Sequence, residues 1–174
     1  MKKLAIFLSV FVIYILNTSV VAQESKVTSD EEKLKEEVWE VVKKRNSTWL
    51  ENDFAGHMSI YHPDFRRWSL HSKTLMTKEI FASFWDGIKK NEAVVKIDIE
   101  RKEMQLLEEG RIAIAHYTVD EVYQWIGENK TNDQGKTIEK GQLLNGKLRF
   151  SDIYLKVNDQ WQYVGGHRDG AFLK

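Results

Sequence analysis

Two groups of residues in this chain have types and spacings that could carry chemistry. His116, Thr118 and Asp120 alternate within Arg111 to Trp125. Alternation sends them to one face of a strand, where His116 and Asp120 could serve as an acid–base pair. Ile112, Ile114 and Val122 share that face. The opposite face carries Ala113, Ala115, Tyr117, Val119 and Tyr123 and is equally apolar. The pair therefore reads as well as a plain hydrogen-bonded contact, and the face that turns inward stays open. In the second group, Asp152 and Tyr154 share a face of Leu143 to Val157. Trp161, Tyr163 and His167 are assigned to one face of the next segment, Gln160 to Arg168. A buried carboxylate needs partners or a raised pKa. Asp152 could hold the His167 imidazole in one tautomer, as orienting carboxylates do. The expected ligand-binding set is Asp152, Tyr154 and His167, with Trp68, Trp85 and His116 as walls and Asp120 beside His116. A hydrogen bond that merely pins the sheet would use the same residues.

Other chemistries find little footing. His57 and His62 stand five apart without an HExxH motif or a carboxylate cluster, so no metal is expected. There is no cysteine, hence no thiol nucleophile and no disulfide. No glycine loop for phosphates and no Gly-x-Ser-x-Gly elbow is present, and no cofactor is expected.

The elements that must position these residues begin after a leader. Lys2 and Lys3 precede a charge-free apolar run, Leu4 to Leu16, and Val20 and Ala22 suit the −3 and −1 positions of a cleavage site. The run is shorter than the roughly 20 apolar residues that span a bilayer. The expectation is a signal peptide over 1–22, a mature start at Gln23, and a single domain over 23–174 that is periplasmic or secreted. Removing the leader's two lysines leaves 24 basic against 26 acidic residues. So balanced a chain offers no field to draw in nucleic acid or a membrane surface. Six Trp and six Tyr suit a lined cavity as well as a core.

Leu34, Val38, Val41, Val42, Trp49 and Leu50 recur at helical spacing, which predicts a helix from about Ser29, with Glu32 as capping partner, to Asn52. Phe54, Met58 and Tyr61 suggest a short second helix. Arg66 to His71 suggests a short strand, and Thr77 caps a third helix through Ile88. Val94 to Leu107, Arg111 to Trp125, Leu143 to Val157 and Gln160 to Arg168 read as strands. The polar stretch Gly127 to Gly141 reads as a long loop, and Asn158-Asp159 as a tight turn. Helices followed by consecutive strands give an α+β fold: a curved antiparallel sheet, covered by N-terminal helices, that leaves a cone with a cavity.

Trp49-Leu50-Glu51-Asn52-Asp53-Phe54, continuing to Ile60-Tyr61-His62-Pro63-Asp64-Phe65, resembles the opening of NTF2-like proteins, in which a helix ends at a Gly/Asn-Asp step. Arg149 to Val157, then Gln160-Trp161-Gln162-Tyr163-Val164 and His167, is similar to the DUF4440 and SnoaL-like branches. The resemblance covers about residues 30–170 and implies the cone. That fold hosts isomerases, cyclases, dehydratases and pure binding domains, so it leaves function open. In the ketosteroid-isomerase branch a carboxylate base follows the helix-ending Asp by about sixteen residues; here that position is Ser69. The branch's helix tyrosine corresponds to Arg45, so both catalytic positions depart from the pattern. Three functions remain: capture of a small, partly apolar molecule; a cyclase-, dehydratase- or hydrolase-type enzyme using His and Asp; and a homodimeric interaction domain built on the open sheet face.

Overall fold

A computed structural model of the chain describes residues 29–69, 73–131 and 135–173. The expected signal peptide lies outside them. Helix α1 covers residues 29–50, so Ser29 already lies within the helix rather than capping it. Its stripe runs through Val38 and Val42, both fully buried, and on to Arg45 and Trp49. Asn52 ends the helix in the left-handed region (φ 57°), a conformation asparagine tolerates better than most residues. The next residue, Asp53, caps α2 (Phe54–Ser59) by accepting from the Gly56 N–H at 2.9 Å. The Asn52-Asp53 step thus closes one helix and opens the other. Helix α3 (Lys78–Asn91) begins at Thr77, whose hydroxyl accepts from the Ile80 N–H as expected. Lys89 ties it to α1, donating to the Trp49 carbonyl at 2.6 Å with its ammonium 3.7 Å above the Trp49 ring.

The strands are β1 (Tyr61–Ser69), β2 (Met76–Thr77), β3 (Glu92–Leu107), β4 (Ile112–Trp125), β7 (Leu143–Val157) and β8 (Gln160–Leu173). They form one sheet in the order β2-β1-β8-β7-β4-β3. Neighbours are antiparallel throughout, except that β1 runs parallel to β8. The β1–β8 exception follows from connectivity: β1 returns from the helices to the open edge of the last strand, and no hairpin dictates its direction. Asn158 and Asp159 turn β7 into β8 with φ values of 49° and 61°, the pattern of a two-residue primed hairpin. The stretch expected to be a loop contains a small separate hairpin, β5 (Lys130–Thr131) with β6 (Thr137–Ile138).

The helices cover the concave face of the curved sheet, and the core between them is largely aromatic. Phe65, Tyr154 and Tyr163 are fully buried. Trp85 of α3 packs against Trp49, Phe54, His57 and Phe81. Rings in edge or tilted contact gain from their quadrupoles as well as from buried area.

Candidate functional site

The concave face of β4 is the one bearing Ala113, Ala115, Tyr117, Val119, Glu121 and Tyr123, all buried. His116 and Asp120 therefore lie on the outer face, contrary to the cavity placement expected for them. His116 Nδ1 meets the Ser151 hydroxyl at 2.9 Å, and Asp120 sits 3.9 Å from Lys147 in a charged surface depression. Both faces of this strand are apolar, so alternation had nothing to separate them.

The same parity argument moves His167. Ile153 pairs with Gly165 while Tyr154 pairs with Tyr163, so Val164 is an extra residue in β8. Such a bulge reverses the alternation beyond it. Tyr163 points inward, His167 outward and exposed, and Arg168 inward. Gly166 fits this register, since a Cβ there would lie 2.4 Å from the Ser151 carbonyl oxygen and 2.9 Å from the Asp152 Cα. Trp68 of β1 is also outside, 49% exposed, beside His167 on the neighbouring strand. Trp85 stands behind the wall rather than in it, its indole N–H donating to Asn52 at 3.2 Å.

Asp152 and Tyr154 are inside, both fully buried. The partner of Asp152 is Arg45, not His167. The Arg45 guanidinium lies 2.8 Å from Oδ2, to which the Tyr117 hydroxyl also donates at 2.5 Å, and the Tyr163 hydroxyl donates to Oδ1 at 2.7 Å. Arg45 also hydrogen-bonds the Tyr117 hydroxyl and lies over the Tyr163 ring at 4.3 Å. Burial works to lower the Arg45 pKa, but Asp152 together with Tyr117, Tyr154 and Tyr163 outweighs it and holds the guanidinium charged. A carboxylate with two hydroxyl donors and a paired cation is committed to structure. The Tyr154 hydroxyl, by contrast, is buried without a hydrogen-bond partner among the described residues.

Above this base opens a cavity of about 570 Å³. Apolar walls come from Trp49, Phe81, Ile97, Val119, Leu148 and Phe150. Polar groups enter from several elements: Arg45 of α1, His57 of α2, Tyr61 and Arg67 of β1, Glu121 of β4 and Arg168 of β8. His57 is 4% exposed. Its Nδ1 lies 3.0 Å from both the Arg45 carbonyl and the Thr48 hydroxyl, and its Nε2 lies 3.1 Å from the Tyr61 hydroxyl. A carbonyl can only accept, so Nδ1 carries the proton and Nε2 accepts from Tyr61. Burial, then the nearby Arg45 charge, pushes the His57 pKa down to about 3. Glu121 accepts from the Trp49 indole at 2.8 Å. Burial lowers the half-buried Lys89 pKa to about 8, although the charges of Glu121 and Glu92 work to raise it. Among the described residues no group of three or more His, Asp or Glu is arranged to hold a metal.

Arg45, His57, Arg67, Glu121 and Arg168 were not expected as site residues. Arg45 did carry a signal, because a cation on the apolar stripe of an amphipathic helix must have a buried partner. Arg168 had none, because its phase depends on the bulge.

No protein-family model matches the sequence, and no curated protein matches it. Solved structures do. An NTF2-like protein of unknown function in nutrient uptake from Rhodospirillum rubrum superposes with a TM-score of 0.59 at 13% identity, over 77% of this chain and 98% of that one. A ketosteroid isomerase-like protein from Erwinia carotovora atroseptica gives 0.57 at 10% identity, over 77% and 93%. A putative scytalone dehydratase from Novosphingobium aromaticivorans gives 0.61 at 11% identity, over 86% and 89%. The chain therefore has the NTF2-like fold, as its Asn52-Asp53 step and strand order led us to expect. Identities this low speak to the fold alone.

Proposed function

We propose that the protein is an extracytoplasmic NTF2-like domain that captures a small, partly apolar molecule in its cone. The observation that carries this reading is the cavity of about 570 Å³, with aromatic and aliphatic walls and a few polar groups reaching in. Small-molecule sites commonly have this size and composition. A proton-transfer enzyme is favoured less. Its best-placed histidine, His57, is held neutral with a pKa near 3, and so weak a base has little driving force near neutral pH. The most buried carboxylate, Asp152, already serves Arg45 and two tyrosines. The outer sheet face, where Ile153 and Trp68 are exposed, is where a homodimer would form.

Native mass spectrometry of the protein recovered from its own compartment tests these points together. The expected protomer mass is that of Gln23 to Lys174, with a retained small molecule, in a dimer. A chain that still starts at Met1 overturns export with cleavage, and a protomer without a partner overturns the dimer. Protein that never carries or takes up a small molecule overturns the binding role.

A further inference from the structure

The cavity's cations are not all answered. Arg45 is paired with Asp152, but Arg67 and Arg168 make no ion pair among the described residues. Arg67 is 6% exposed, its Nε has no acceptor, and its nearest polar contact is the Met76 sulfur at 3.8 Å. Arg168 touches no carboxylate and lies 5.9 Å above the Phe150 ring. The two sit on adjacent parallel strands, with Arg67 opposite Gly166 and Ser69 opposite Arg168. Gly166, two positions before Arg168 on the same inward face, puts no side chain between them. Burial, and then the Arg67 charge, lower the Arg168 pKa, so the two cations are within electrostatic reach. The remaining charged groups of the lining do not cancel this pair. Asp169 is bound by Arg149 at 2.9 and 3.0 Å. Glu121, which accepts from Trp49, and Glu92 face Arg168 as well as Lys89; Lys130, at the exposed small hairpin, adds positive charge, so these two carboxylates meet four cations, Arg67, Arg168, Lys89 and Lys130.

A desolvated guanidinium without an acceptor is costly to keep in a wall, and a planar fork of donors matches a carboxylate, sulfonate or phosphate. We propose that Arg67 and Arg168 form an anion subsite, so that the captured molecule is a small organic anion whose apolar body lies against the aromatic wall. This rests on the binding reading above. Bulk charge would not produce the preference, because the exported chain is slightly acidic.

Two fluorescent probes with the same apolar body test it: anilinonaphthalene sulfonate, an anion, and phenyl-naphthylamine, which is neutral. The wild-type protein is expected to bind the sulfonate about 10- to 100-fold more tightly, as charge-assisted hydrogen bonds typically confer. Arg67→Met and Arg168→Met should each remove that preference and leave the neutral probe's affinity within about twofold. Arg67→Met should also melt at or above the wild-type temperature, since it relieves an unanswered buried cation. Equal binding of both probes by the wild type, or a preference retained in either variant, overturns the anion subsite and leaves the binding role standing. A melting temperature well below wild type for Arg67→Met would make that residue structural and overturns the subsite too. An Arg67→Met protein that does not fold counts as the same outcome. Failure of both probes to bind the wild type overturns both the subsite and the binding role.

Discussion

Replacing Asp152 with alanine is expected to destabilise the protein by about 3–5 kcal/mol, the usual cost of removing one partner of a buried ion pair. Arg45 is only 4% exposed, so its guanidinium would be left buried without its carboxylate partner. The Tyr117 and Tyr163 hydroxyls lose their acceptor at the same time. The damage comes from what is left behind. The double variant Arg45→Met/Asp152→Leu, which removes both charges, should therefore recover most of the loss. Urea denaturation of Arg45→Met, Asp152→Leu and the double variant gives the coupling directly. If the double variant loses as much as the two singles added together, the pair is not energetically coupled and our description of the base is wrong.

The second large effect is a pH slope. Burial, and then the Arg45 charge, lower the pKa of His57 from 6.5 to about 3. The unfolded chain takes up a proton as pH falls through about 6.5, whereas the folded chain refuses it until near 3. Above about 6.5 neither state is charged at this site and it contributes no slope. Between the two values stability falls with falling pH by about 1.4 kcal/mol per unit, or about 2–3 kcal/mol by pH 4.5. Other groups titrate in this range as well, so the informative quantity is the difference from His57→Gln. That variant should be less stable than wild type at neutral pH, having lost the imidazole's contacts with Thr48 and Tyr61. It should also lack the His57 share of the slope. Parallel curves for the two proteins would mean that His57 takes up its proton in the folded state near its ordinary pKa.

The two long helices were legible because each has one dominant apolar stripe, whereas the short second helix was carried too far, through Tyr61, which begins β1. Val38 and Val42 set the buried face of α1, and Thr77 marked the start of α3. The β7–β8 turn was legible because Asn158 and Asp159 both tolerate positive φ. The cone followed from element order together with the Asn52-Asp53 step. The site was far less legible, for two separate reasons. In β4 the two faces carry similar apolar residues, so His116 and Asp120 could be placed on a face but not inside or outside. In β8 the alternation was continued through Val164, where the strand inserts a residue, and every position beyond it changed sides. Asp152 and Tyr154 lie on the inner face as assigned, since β7 keeps strict alternation from Gly146 to Tyr154, but both are fully buried beneath the cavity rather than lining it. The partner of Asp152 could not be read from its neighbours in the chain, because Arg45 comes from a helix more than a hundred positions earlier.

The bulge at Val164 has one more implication, for how such a pocket can change. Imidazole and guanidinium occupy consecutive positions in β8, and strand phase alone decides which of them meets the ligand. Closing the bulge with Val164 kept and paired to Ile153 would turn His167 inward and Arg168 to solvent without substituting either side chain. It would also exchange a guanidinium, which only donates, for an imidazole, which can donate or accept a hydrogen bond. A shift of register at this strand is thus a single-step route between chemistries that point substitutions would reach only one residue at a time. Relatives with this fold are better compared by bulge position than by aligned residue type.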